Sequence, residues 1–175
     1  MLIDLHPLLS QEGKVKKIET ELETDVFTSR LGRYPIVHKE PISFVFTNVG
    51  DSTVQVEAEI DVTLNIPCGR CLEDVRTQLK IQTSREVNLS GTVSEEEAAL
   101  DEVDFMDGTD FNVERFAHGE ILVNLPMKVL CSENCKGICN RCGANLNTQT
   151  CDCDKTELDP RMSKILDVFN NFKEV

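Results

Sequence analysis

The sequence predicts an α+β protein: a largely antiparallel β-sheet or open barrel, a helix after the sheet, a cysteine-rich ribbon and a C-terminal helix. Three observations carry this reading. Val54, Val56, Ala58, Ile60, Val62, Leu64 and Ile66 occupy every second position, with Gln55, Glu57, Glu59, Asp61, Thr63 and Asn65 between them. Two later stretches repeat apolar residues at helical spacing. Six of the eight cysteines crowd between Cys131 and Cys153.

Taken in order, Leu2–Leu5, Lys14–Leu22 and Ile42–Thr47 look extended, and Gly50-Asp51 is a turn. The alternation from Val54 to Ile66 is a long strand with one buried and one wet face. Val75, Leu79, Ile81, Val87 and Leu89 continue in phase. The two segments therefore form an antiparallel hairpin whose tip is Pro67-Cys68-Gly69-Arg70-Cys71, with Gly69 as the residue suited to a tight turn. Gly91–Asp110 is acidic and lacks periodicity, as expected of a solvated, mobile loop; an acidic docking arm is the sharper reading. Asn112 then caps a helix carrying Val113, Phe116, Ala117, Ile121, Leu122 and Leu125, which Pro126 ends. Asp159-Pro160 opens a second helix, with Met162, Ile165, Leu166, Phe169 and Phe172 as its packing stripe. The expected divisions are a β-rich domain over 1–130 containing the loop 91–110, a ribbon over 131–155 and a C-terminal helix over 156–175.

The cysteine spacing is that of metal ligands. Cys68-x-x-Cys71 and Cys139-x-x-Cys142 are tight turns, Cys151-Asp-Cys153 closes the cluster, and Cys131 and Cys135 precede it. A structural Zn²⁺ takes four soft ligands on a tetrahedron, so eight thiols supply two sites with none left over. A disulfide framework belongs to small secreted chains. Here Met1-Leu2-Ile3 runs into Asp4 and His6 with no positive stretch before an apolar core, so export is not expected. A reducing cytoplasm is.

Cys139-Asn140-Arg141-Cys142-Gly143 has the form of a zinc knuckle, and Ala144-Asn145-Leu146-Asn147 can turn back to present Cys151 and Cys153. That local set leaves Cys68, Cys71, Cys131 and Cys135, whose union closes a loop of about sixty residues. The competing partition joins Cys131, Cys135, Cys139 and Cys142, and leaves Cys68, Cys71, Cys151 and Cys153.

The formal charge is −13, and Gly91–Glu114 holds nine acidic residues and no basic one. Two Zn²⁺ add four positive charges while eight thiolates remove eight, which takes the total to −17. Such a chain is a poor non-specific binder of nucleic acid, because that affinity comes from Lys and Arg on phosphates. RNA contact is expected only locally, at Arg70, Lys136 and Arg141 beside the cysteine turns, or through a basic partner protein. No apolar run reaches the roughly 18 residues of a membrane helix.

Enzymatic readings fare poorly. Pro67-Cys68-x-x-Cys71 and His118-Gly119-Glu120 imitate a zinc deaminase, but the order is reversed and four thiolates leave no place for water. No Walker-type phosphate loop and no Ser–His–Asp spacing is present. His6, His38 and His118 are isolated and read as surface or satisfied structural residues. The acidic loop lacks the alternating pattern of a Ca²⁺ loop.

Cys68-Gly69-Arg70-Cys71-Leu72, Glu120-Ile121-Leu122-Val123-Asn124-Leu125-Pro126, Cys131-x-x-x-Cys135-Lys136-Gly137-Ile138-Cys139-x-x-Cys142-Gly143-x-Asn145-Leu146-Asn147, Cys151-Asp-Cys153 and Asp159-Pro160-Arg161 together resemble the YceD family, the large ribosomal RNA subunit accumulation proteins. Ile138 stands where Leu is usual and Asn140 where Pro is common; neither is a ligand. The resemblance implies a bacterial cytoplasmic protein that supports accumulation of large-subunit ribosomal RNA, with members often encoded beside a large-subunit ribosomal protein gene. Shorter relatives keep the hairpin pair and a ligand pair after the helix but lack the knuckle and Cys-x-Cys, which favours the first partition. The expectation is thus a non-enzymatic zinc protein acting in ribosomal RNA maturation or large-subunit assembly, its partner a basic large-subunit protein or assembly factor. The rival is a generic zinc-ribbon interaction module without ribosomal linkage.

Overall fold

The structure, a computed structural model, describes residues 1–89 and 105–153. The predicted helix over 156–175 and most of the acidic loop, residues 91–104, lie outside the described residues. Two compact units are present: Met1–Gly69 with Glu73–Glu133, and Arg70–Leu72 with Asn134–Val175, the latter described as far as Cys153.

The first unit begins with β1 (Leu2–Asp4) and a short 3-10 turn at His6–Leu8, followed by β2 (Val15–Thr20), β3 (Val26–Ser29), β4 (Gly32–Lys39) and β5 (Ile42–Gly50). The two long strands β6 (Thr53–Pro67) and β7 (Asp74–Asn88) come next, then β8 (Met106–Asp107), β9 (Asp110–Asn112) and α1 (Val113–Asn124). All strand pairs are antiparallel. β6 is the spine. One edge pairs with β7 from Thr53↔Asn88 to Pro67↔Asp74 without a break. The other edge is shared, with β5 along its first half and β4 along its second, and β2 and β3 lie outside these. A smaller sheet runs β1-β9-β8.

The alternation seen in the sequence is the cause of this arrangement. Val54, Val56, Ala58, Ile60, Val62, Leu64 and Ile66 are all buried, and Ile42, Phe44 and Phe46 of β5 face the same core. α1 supplies Val113, Phe116, Ala117 and Ile121 to it. Aromatic rings fill the space between: Phe44 meets Phe111 at 5.4 Å and Phe116 at 5.7 Å, edge on, the geometry that their quadrupoles favour. Asn48 is buried and satisfied, its Nδ2 donating to the Leu8 and Gln11 carbonyls and its Oδ1 accepting from Gly50 N.

Asn112 caps α1, its side chain accepting from Arg115 N at 3.1 Å. Leu122 differs from expectation: it is 41% exposed, and Glu120 is buried instead. Arg85 of β7 donates to the Glu120 carboxylate at 3.1 Å, which makes that burial tolerable. The end of the acidic stretch also departs from a loop. Met106–Asp107 and Asp110–Phe111 pair as a small hairpin, and Phe105 packs on Phe111 and Phe116 at 5.5 and 5.1 Å. The β3–β4 hairpin was not legible in the sequence.

Candidate metal centres

The hairpin tip is built by the end of β6–β7 pairing. Cys68 N donates to Glu73 O at 2.8 Å, so Cys68 to Glu73 is the turn. Its left-handed residue is Leu72 (φ 63°), not Gly69, whose φ is not positive. Gly69 instead gives its amide to Val129 O at 2.8 Å, which holds the turn beside the chain leaving α1. Two residues on, Cys131 N donates to the Cys68 sulfur at 3.4 Å. Cys68 is fully buried and Cys131 exposed.

In the second unit, Arg70 Nη1 donates to Cys135 O at 2.9 Å, and Gly137 (φ 78°) lies so close to Arg70 O that a Cβ there would stand 3.1 Å from it. Asn147 was not singled out as functional by sequence reasoning. Its Nδ2 donates to the Cys135 sulfur at 3.3 Å, and its Oδ1 accepts from Lys136 N at 2.7 Å. Its sequence signals were its place at the end of the turn after Gly143 and in the Asn145-Leu146-Asn147 end of the cysteine motif. Residues 137–146 form a tight hairpin: Ile138 bridges Asn145, Cys139 N donates to Ala144 O, and Leu146 N to Gly137 O, both at 2.8 Å. Gly143, with φ 73°, lets its amide reach Cys139 O at 2.9 Å.

None of the eight cysteines is in a disulfide, and their sulfurs gather in two fours, Cys68, Cys71, Cys131 and Cys135, and Cys139, Cys142, Cys151 and Cys153. Within each four, all sulfurs lie within 4.8 Å of one another. The competing partition of the ligands is not what the structure brings together. A tetrahedral Zn²⁺ with bonds of about 2.3 Å sets its sulfurs about 3.8 Å apart, so both sets fit the ion with small adjustments. Amide donors on the Cys68 and Cys135 sulfurs are the outer contacts that thiolate ligands need. Four thiolates fill a tetrahedron and leave no position for a reactive water.

The second four is electrostatically poised. The amides of Cys142 and Arg141 donate to the Cys139 sulfur and bring it down to about 6. Cys153 is pushed up to about 12 by its hydrogen bond with Cys142, by desolvation and by Cys139. The Cys153 amide lowers Cys151, but Cys139 and burial outweigh it and the thiol is raised. Four adjacent thiols cannot all ionise against each other; a bound cation removes that obstacle, at the cost of releasing protons.

The other expected residues fall as follows. Arg70, Lys136 and Arg141 are all exposed, though Arg70 also holds the Cys135 carbonyl. His118 has structural contacts: its Nε2 bonds Thr28 O at 2.8 Å and its ring stacks on Phe27 at 4.8 Å. It lines a cleft of about 290 Å³ with Leu22, Ile36 and Ile121. Glu114, at the rim, accepts from Glu23 N and Thr24 Oγ1.

The family model described as large ribosomal RNA subunit accumulation protein YceD matches residues 56–169, which include all eight cysteines. The chain belongs to the YceD family. A curated relative, the Large ribosomal RNA subunit accumulation protein YCED homolog 1, chloroplastic, of Arabidopsis thaliana, is 46% identical over 44 residues. That match covers 24% of this YceD-family chain and 14% of the plant protein. No solved structure matches. No helix among the described residues is long and apolar enough to cross a membrane.

Proposed function

We propose that this YceD-family chain is a non-enzymatic, two-zinc protein that supports accumulation of large-subunit ribosomal RNA, acting in its processing or in subunit assembly. The family match over residues 56–169, spanning both cysteine fours, carries the reading. Cys68, Cys71, Cys131 and Cys135 hold one Zn²⁺, and Cys139, Cys142, Cys151 and Cys153 the other. When bound, the ions supply structural cross-links. Closed thiolate sets offer no open coordination position, which supports a binding rather than a catalytic role.

The partner is a basic large-subunit protein or assembly factor, met in the cytoplasm. At −17 with both ions, most of the surface repels naked RNA and attracts lysine-rich proteins; Arg70, Lys136 and Arg141 are the local exceptions. Depletion of the protein in its host, with complementation by wild type and by Cys68→Ala, tests the role. Large-subunit ribosomal RNA falls on depletion and recovers only with wild type. Unchanged ribosomal RNA levels on depletion would overturn it. In a purified system, a basic large-subunit protein binds in a salt-dependent way while naked ribosomal RNA binds weakly; tight RNA binding abolished by changing Lys136 and Arg141 to Ala would reverse that order.

A further inference from the structure

Among the described residues, the longest strand pair of the sheet ends in an open edge. β7 pairs with β6 over its whole length in unbroken register, whereas β4 and β5 each carry an irregularity. Among the described residues no strand lies on the outer side of β7. The other two edges are short or covered. β2 is six residues long and carries Lys16 and Lys17, a common defence against edge pairing. On β3, the His118 ring occupies the Thr28 carbonyl. β7 is fifteen residues long, with no proline and no bulge. Its outward main-chain groups form a template for another strand.

The side chains of β7 say which strand. Antiparallel pairing of β7 with itself, about a two-fold axis at Ile81, keeps even residues opposite even residues, so wet face meets wet face. It sets Arg76 opposite Glu86 of the second copy, and Glu86 opposite the second copy's Arg76. Gln78 then faces Ser84, and Lys80 faces Gln82. On the core side Val75 faces Val87, Leu79 faces Thr83 and Ile81 faces Ile81. No like charges are opposed. Moving the axis to Lys80 puts Lys80 against Lys80 and Asp74 against Glu86. Moving it to Gln82 loses both ion pairs. Directly opposed pairs are the unit of sheet stabilisation, favourable for unlike charges and unfavourable for like ones. An axis at Thr83 also opposes unlike charges, Lys80 to Glu86, but pairs only residues 78–88; the axis at Ile81 opposes unlike charges and pairs the whole strand, and is therefore favoured.

We propose that β7 is a homodimer interface: two copies join antiparallel through Val75–Val87, centred on Ile81, and extend the sheet across the two-fold axis. Such a contact is isologous and closes on itself, so it gives dimers and not fibres.

Sedimentation of the zinc-loaded full chain under reducing conditions, across a micromolar concentration series, tests this. The wild type sediments at twice the 19.7 kDa chain mass at the upper end of the series. Arg76→Glu and Glu86→Arg each place like charges opposite at both ends and weaken association by roughly tenfold or more. The double variant R76E/E86R merely reverses both ion pairs and restores the dimer. Circular dichroism of each variant, matching wild type, shows that the sheet is kept. A wild type that remains monomeric over the series overturns the proposal, and so do single variants that dimerise as well as wild type or a double variant no better than the singles. A chain that stays monomeric until a lysine-rich peptide is added assigns the edge to a foreign strand and also overturns it.

Discussion

Cys139, Cys142, Cys151 and Cys153 come from one short stretch of chain, whereas Cys68 and Cys131 are brought together from the ends of a long β-hairpin and a helix. The first arrangement needs only the 137–146 hairpin and its two left-handed glycines. The second needs β6–β7, α1 and the chain after it to have reached their places. Burial differs in the same direction: three of the long-range four, Cys68, Cys71 and Cys135, are buried and Cys131 is exposed, whereas in the local four only Cys139 is buried, Cys142 is exposed and Cys151 and Cys153 are half-buried. A metal in the local set therefore closes a small loop and stabilises its own neighbourhood. A metal in the long-range set restrains a loop of about sixty residues, where the loss of chain entropy on unfolding counts for more.

The largest expected effect breaks this contrast most directly. Cys68→Ala removes a buried ligand and the acceptor of Cys131 N, and should destabilise the first unit by about 4 kcal/mol or more with loss of one zinc. Cys151→Ala should also lose one zinc yet leave the β-sheet melting near the parent temperature. Thermal unfolding followed by far-ultraviolet circular dichroism, with metal analysis, checks both. Equal loss of sheet stability in the two variants would erase the distinction.

A chelator titration sharpens it further. The more exposed four should give up its zinc first, so metal release should come in two phases with the sheet signal surviving the first. A single phase that carries the sheet signal with it would couple the two sets.

Gly137→Ala acts on a residue at φ 78° with a carbonyl 3.1 Å from the new Cβ, and should cost about 1–2 kcal/mol in the second unit. Asn147→Leu removes the donor to the Cys135 sulfur and should weaken zinc at the long-range set roughly tenfold. Competition with a zinc indicator measures it; unchanged affinity would make the Asn147 contact incidental.

The smallest effect is in proton traffic. In the metal-free protein Cys139, at about 6, is a thiolate at neutral pH, whereas Cys153, at about 12, holds its proton. Loading zinc into the local set at pH 7 should therefore release protons, and its affinity should fall as pH drops, steepening once Cys139 itself protonates below about 6. Calorimetry in buffers of different ionisation enthalpy counts those protons. Uptake without proton release would show that the four are already ionised.

Much of the fold was legible because its signals are local. The alternation of Val54–Ile66 places one face in a core whatever else surrounds it, and Asn112 caps a helix through a bond within its own first turn. β3 and β4 escaped because Gly32 and Pro35 interrupt any alternation there; the strand survives through pairing with β6, far along the chain. Leu122 joins the core stripe only for being apolar, but helical spacing from Val113, Phe116 and Ala117 reaches position 120 and leaves 122 outside. The polar character of Glu120 hid its place, and Arg85 on β7 makes a buried carboxylate affordable there.

The eight thiols, their tight turns and the strand and helix periods are properties of short segments, and the sequence by itself determined them. Which four sulfurs meet was left open between two partitions, since spacing constrains a turn but not its companion sixty residues away. Tertiary structure decided that, through the Gly69–Val129 bond and the β6–β7 register, and it decided that β7 is the outermost strand on that side of the sheet among the described residues. Both depend on contacts between residues distant in the chain, whose energies no local pattern records.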